Sequence, residues 1–294
     1  MKTRFEKYHP LVSFIYFIFV LFISMLTMNP IIIVISYVSS ILFGITIFKL
    51  VEMLKSLVYS IPMLIMMAIV NPLFVHKGET ILFFLNDNPI TKEAILYGVF
   101  ASLMMMSVFY WCKAYSAIMT SDKVLYLFGR SMPKLGLIIS MAMAFVPKLK
   151  KKYKEIDEAQ KALGIYSSKS YVDKIKNKLR VLSILLTYSL ENSIETADSM
   201  RARGYGLKKR THYSLFKYTK YDAIFLFSTS AVAITSLIFI FIGIGDYNFY
   251  PTMTVIQNTI LNISLYVMLV VLFGISIFME VKENLLWRYL KSKI

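Results

Sequence analysis

The residues in this sequence best suited to a specific interaction are Ser199-Met200-Arg201-Ala202-Arg203-Gly204-Tyr205-Gly206. Arginine in the last turn of a helix complements the negative end of the helix dipole, and glycine just beyond it supplies a left-handed cap. Arg203 would then be a planar, permanently charged fork held at a helix tip, which suits bidentate recognition of a carboxylate rather than making or breaking bonds. Any stable helix can end in this way, so the pattern alone gives a capped helix presenting a guanidinium.

Groups for covalent or metal chemistry are sparse. The chain shows no phosphate-cradling glycine loop, no His-Glu-x-x-His and no cluster of acids within its apolar runs. Its single cysteine, Cys112, sits in an apolar run beside Trp111 and closes no intrachain disulfide. His9, His76 and His212 are far apart, and packing or solvent exposure is expected of each. No cofactor and no metal are expected. An enzyme embedded in a membrane is one alternative, but its polar candidates, Asn71, Asn86 and Asp87, fall at the end of an apolar run and in a loop. Ion pumps and proton-coupled carriers need ionisable groups inside their spans, so autonomous secondary transport is disfavoured. Binding of anionic lipid or nucleic acid through basic residues is the other alternative, prompted by the net charge of +16.

The elements that must position Arg203 follow from composition. Hydrophobic residues make up 57% of the 294 and charged ones 17%, with mean hydropathy +0.62. A water-soluble domain of this length does not need so large an apolar share, so lipid is the solvent for most of the chain. Crossing a hydrocarbon core takes about 20 apolar residues. Six runs fit: Leu11 to Met28, Ile31 to Phe48, Ser56 to Val75, Ala94 to Ala114, Ala223 to Gly243 and Thr259 to Met279. Lys2, Arg4 and Lys7 ahead of the first run resemble a signal peptide, but no small-residue cleavage site follows, and a retained span is expected. Methionines such as Met104-Met105-Met106, Met141 and Met143 suit adaptable helix packing.

Between the fourth and fifth runs lies a stretch holding more than half of the 33 lysines and arginines. Lys148, Lys150, Lys151, Lys152 and Lys154 lie in its first half, and Arg201, Arg203, Lys208, Lys209 and Arg210 close it. Basic loops stay in the cytoplasm. With the amino terminus inside, four spans return the chain to the cytoplasm at Lys113, and two more leave Lys282, Arg288, Lys291 and Lys293 inside as well. Every cationic cluster then falls on one side, which makes a lipid-facing or cytoplasmic partner a better reading of the charge than nucleic acid.

Within the basic stretch, Leu135 to Val146 is apolar but only about a dozen residues long, which suits a buried or interfacial helix better than a span. From Pro133 one long helix is expected, kinked or broken at Pro147, ending at Gly164. A polar connection through Ser167, Ser168, Lys169 and Ser170 leads to a second helix from about Val172 to Arg203. There Glu191, Glu195 and Asp198 share a face, either solvated or paired with the basic helix before it.

The run Ala202-Arg203-Gly204, after a long helix and before Tyr205-Gly206 and Arg210-Thr211, resembles the Ala-Arg-Gly coupling motif of the transmembrane T component of energy-coupling factor transporters, the EcfT/CbiQ-like proteins. Asn71-Pro72-Leu73-Phe74, Gly78, Pro89 to Ala94, Leu125 to Pro133 and Phe145-Val146-Pro147 are similar to that family's landmarks in order, so the likeness covers most of the chain from Ser56 to Asp222.

The resemblance implies an all-α polytopic membrane protein with about six transmembrane helices and a cytoplasmic helical coupling domain, divided at residues 1–118, 119–221 and 222–294. It implies an energy-coupling subunit of an ABC-type importer, without its own ATPase site, in the bacterial cell membrane with both termini cytoplasmic. Two ABC-type ATPase subunits, a substrate-binding S component and membrane lipids are the implied partners, and a vitamin or a metal ion such as cobalt or nickel the implied cargo. Carried over by residue, Ala202, Arg203 and Gly204 form the second coupling motif, and Ala162, Leu163 and Gly164 stand at the first. Leu163 stands where the resemblance leads to the expectation of an arginine, and Ala144 stands where many members of the family carry an arginine before the Phe-x-Pro landmark.

Overall fold

The computed structural model describes residues 5, 8–85, 88–164, 171–207, 216–256 and 259–292. Lys2, Arg4, Lys7, Asn86, Asp87, the connection Ser167 to Ser170, the run Lys208 to His212 and Lys293 lie outside the described residues. In chain order the elements are α1 (Pro10–Leu26), α2 (Pro30–Ile47), α3 (Leu50–Phe74), β1 (Ile81–Leu85), β2 (Asn88–Thr91), α4 (Lys92–Ile118), α5 (Ser121–Ser131), α6 (Pro133–Ala162), α7 (Tyr171–Ala202), α8 (Lys220–Phe241) and α9 (Ile260–Ser292). Two compact units result: Met1–Val124 with Phe216–Ile294, and Leu125–Leu215.

The first unit holds the apolar helices. α2, α3, α4, α8 and the Ile260–Leu286 part of α9 are long and apolar enough to cross a membrane. At 17 residues α1 is shorter, about 26 Å at 1.5 Å per residue, just under the thickness of a hydrocarbon core. Each start has a local cause. Pro10 and Pro30 sit where a helix has no use for an N–H, and the side chains of His9 and Asn29 accept from Leu11 N and Ile31 N at 3.3 and 2.9 Å. α8 opens on a capping box in which Thr219 N donates to Asp222 Oδ2 at 2.9 Å. The other Asp222 oxygen accepts from His9 N at 3.1 Å, which ties the starts of α1 and α8 together.

Large rings fill the core of this unit. Phe5 stands 5.7 Å from Phe225, and Trp111 lies 5.6 Å from Phe43 and 5.7 Å from Phe273, so α1, α2, α4, α8 and α9 share one cluster. Ser36 is its polar hub, with Ser24 Oγ at 2.8 Å, Ser107 Oγ at 2.6 Å and Trp111 Nε1 donating to it at 3.3 Å. In lipid, hydroxyls between helices replace bonds that water would otherwise supply. α3 lies against α4 where Gly98 admits a close approach: a Cβ there would meet Met67 O at 3.0 Å.

The connection after α3 differs from an all-helical expectation. β1 and β2 pair antiparallel, with Leu85 opposite Asn88. Five apolar residues followed by Asn86-Asp87-Asn88-Pro89 are a strand and a turn signal, masked in the sequence by the neighbouring spans. Lys92 N donates to Thr80 O at 3.0 Å, and Thr80 Oγ1 donates to the buried Glu93 carboxylate at 2.6 Å, which fixes the hairpin to α4.

In the second unit α6 continues through Pro147 without a break. The proline removes one hydrogen bond, to the Met143 carbonyl, and a helix of 30 residues tolerates that loss. α5 and α6 approach at glycines, where a Cβ on Gly136 would stand 2.6 Å from Gly129 Cα. α6 meets α7 where Lys152 Nζ lies 5.2 Å above the Tyr188 ring. Along the acidic face of α7, Asp198 pairs with Arg201 at 3.8 Å, while Glu191 and Glu195 are exposed and make no ion pair among the described residues.

Candidate functional site

The tips of α6 and α7 end in the same way. Ala162 and Ala202 are the last helical residues, and Leu163 and Arg203 follow as caps. Gly164 and Gly204 then turn left-handed at φ +71° and +80°. Such angles strain any residue with a Cβ, so each glycine is required by its turn. Gly164 N donates to Lys161 O at 3.0 Å, and Gly204 N to Arg201 O at 2.9 Å. At the α7 tip Tyr205 N also donates to Met200 O at 2.9 Å, which completes a Schellman motif. Backbone N–H groups thus occupy Ala159 O and Lys161 O at one tip, and Ser199 O, Met200 O and Arg201 O at the other, without help from the cap side chains.

Both cap side chains face solvent in this chain. Leu163 is 72% exposed, and Arg203 is exposed with no ion pair among the described residues. The neighbouring charges are engaged locally. Lys161 Nζ lies 2.6 Å from Asp157, and that hydrogen bond raises the Lys161 ammonium above the ordinary lysine range. Arg201 leans toward Asp198. The two tips thus display an exposed apolar side chain and a guanidinium without an ion pair among the described residues, each at the end of a long helix. From the contact of Lys152 with Tyr188, the arms run roughly 15 Å to Ala162 and roughly 21 Å to Ala202 at the α-helical rise.

The residues that an enzyme would use have structural roles or stand apart. The Asn71 amide donates to Ala94 O at 2.6 Å and to the Tyr250 hydroxyl at 3.4 Å, so it joins α3 to α4. Cys112 is free and exposed. Among the described residues no group of three His, Cys, Asp or Glu side chains is placed to hold a metal ion. Ala144 is exposed partway along α6 and takes no part in the tip. Leu207, which closes over Gly204, and the Gly129–Gly136 approach were not singled out from the sequence. An apolar residue soon after a glycine cap is the signal for the first, and two glycines flanking a helix junction the signal for the second.

Fold and site together define a polytopic helical membrane protein with a separate helical unit whose two long helices end in matched, solvent-facing caps. The chain belongs to the CbiQ family, described as cobalt transport protein, whose profile matches residues 4–213. It is similar to energy-coupling factor transporter transmembrane proteins EcfT. That of Lactobacillus helveticus is 33% identical over 106 residues, covering 35% of this chain and 38% of the relative. That of Listeria innocua is 31% identical over 102 residues, covering 34% and 38%. That of Staphylococcus aureus is 27% identical over 184 residues, covering 58% and 69%. The chain thus spans less than half the length of the first two relatives.

Proposed function

We propose that this protein is the energy-coupling transmembrane subunit of an ECF-type importer, with Ala162-Leu163-Gly164 and Ala202-Arg203-Gly204 each docking on one of two ABC-type ATPase subunits. Closure of the ATPase pair moves the two tips, and α6 and α7, rigid along their length, carry that motion to the membrane helices and a substrate-binding S component. ATP hydrolysis belongs to the partners. The cargo is a small vitamin or a metal ion, and the description of the family as cobalt transport favours the latter. Both termini and the Leu125–Leu215 unit lie in the cytoplasm, as the distribution of cations supports.

The observation that carries this reading is that two long helices each end on a left-handed glycine, with the residue before it exposed and, for Arg203, without an ion pair among the described residues. The tips also differ, one apolar and one cationic, which suits two ATPase grooves of different chemistry. Arg203→Glu tests the reading: insertion in the membrane is expected to persist and co-purification with the ATPase subunits to be lost. Full ATPase recovery with this variant would refute it.

A further inference from the structure

We infer that the first half of α7 is an interfacial helix that seats in the headgroup layer of an anionic bilayer. Val172, Ile175, Leu179, Leu182 and Leu186 are each between 46% and 59% exposed. At 3.6 residues per turn their directions fall within about 40° of a common midline, so they form one apolar stripe. The opposite face is the packed one, where Asn177 and Val181 are buried. Single exposed leucines need no explanation, but a continuous stripe of five does.

The charges of this half-helix are arranged around the stripe. Lys176 and Arg180 lie about 80° and 120° to one side of the midline, and Lys178 and Lys174 about 80° and 120° to the other. All four are exposed. Asp173, its acid, lies about 140° away, toward the packed face. This is the geometry of a helix lying in a membrane surface, with apolar side chains among the acyl chains and long cationic stems reaching outward to phosphate on both flanks. The second half of α7 lacks it: Glu191, Glu195 and Asp198 replace the cations there.

The same pattern argues against other occupants. A second copy of the helix would bring these flanking cations against their own counterparts, and an apolar protein face without acids would leave them unpaired. An anionic leaflet neutralises all four at once. The inference rests on burial and charge in α7 alone, and stands or falls separately from ATPase docking.

The test uses the whole chain in nanodiscs, with Cys112→Ser as background and a spin label on Leu179→Cys or, separately, Leu182→Cys. Collision of the label with oxygen reports lipid, and collision with a water-soluble nickel chelate reports solvent. In phosphatidylcholine with phosphatidylglycerol, the oxygen-to-nickel accessibility ratio is expected to be high at both positions. It should fall in pure phosphatidylcholine, at high salt, and when Lys174, Lys176, Lys178 and Arg180 are all changed to glutamine. A label that is water-accessible in the anionic discs would overturn the inference. So would a label shielded from both reagents, since that means a protein covers the stripe. A high ratio that ignores lipid charge and the glutamine variant would remove the anionic headgroups from the account and overturn it as stated.

Discussion

Leu207 closes over Gly204, so that a Cβ on this glycine would stand 2.9 Å from the Leu207 Cδ1 methyl. Gly204→Ala therefore meets two penalties: a left-handed backbone at φ +80°, costing about 1–2 kcal/mol for a residue with a Cβ, and a leucine that must move aside. Gly164→Ala meets only the first, because nothing lies within 4 Å of its Cβ position. Amide exchange at Arg203 to Tyr205 should accelerate in Gly204→Ala, and ATPase co-purification should fall although Arg203 is intact. Unchanged exchange would show that the cap does not hold the tip.

The glycine pair between α5 and α6 predicts an asymmetry. A Cβ on Gly136 would stand 2.6 Å from the Gly129 backbone, which cannot yield without parting the helices, whereas a Cβ on Gly129 would meet Gly136 Cα at an ordinary 3.8 Å. Gly136→Ala should cost about 1–3 kcal/mol through overpacking. Gly129→Ala should be neutral or stabilising by up to about 1 kcal/mol through helix propensity. Thermal unfolding in detergent reads both, and equal effects would refute the packing argument.

Much of this architecture was legible before any coordinates. The apolar runs and their proline and asparagine boundaries gave the membrane helices, because in lipid a spanning segment must satisfy its own backbone and so announces itself by length. Gly164 and Gly204 marked the helix ends, since only glycine enters the left-handed turn freely. Three features were not legible. The β1–β2 hairpin is short and apolar, and reads like the span beside it. Continuity through Pro147 depends on how much helix flanks the proline. The burial of Asp222 and Glu93 depends on His9 and Thr80, partners far along the chain or across a loop. For the site, sequence supplied the residue types, while the exposure of Leu163 and Arg203 at their helix ends is a property of the fold.

Ser36 accepts from Trp111 and joins Ser24 to Ser107 within the helix core. Its removal by Ser36→Ala leaves the buried indole N–H without that bond, while Ser24 keeps its own bond to Val20 O at 2.7 Å. Bonds between membrane helices average about 0.6 kcal/mol, well below the cost of an orphaned buried donor in a soluble core. A loss of about 0.5–1.5 kcal/mol in detergent unfolding is expected. A loss above about 3 kcal/mol would mean that the serines act as a cooperative network rather than as separate bonds.

The two tips should answer differently to salt. If Leu163 fills an apolar groove, truncating it to alanine removes burial worth about 2 kcal/mol, and added salt does not weaken what remains. Arg203→Ala removes a charge-assisted contact and strands its carboxylate, a loss of about 2 kcal/mol or more that shrinks as ionic strength rises. Arg203→Lys keeps the charge but not the planar fork, so it should recover only part of the affinity. Titration of ATPase subunits onto the reconstituted chain at two salt concentrations separates these cases. The Arg203→Ala loss should be the larger at low salt and converge on that of Leu163→Ala at high salt. A larger loss for Leu163→Ala at every salt concentration would reverse the ranking and place the dominant contact at the apolar tip.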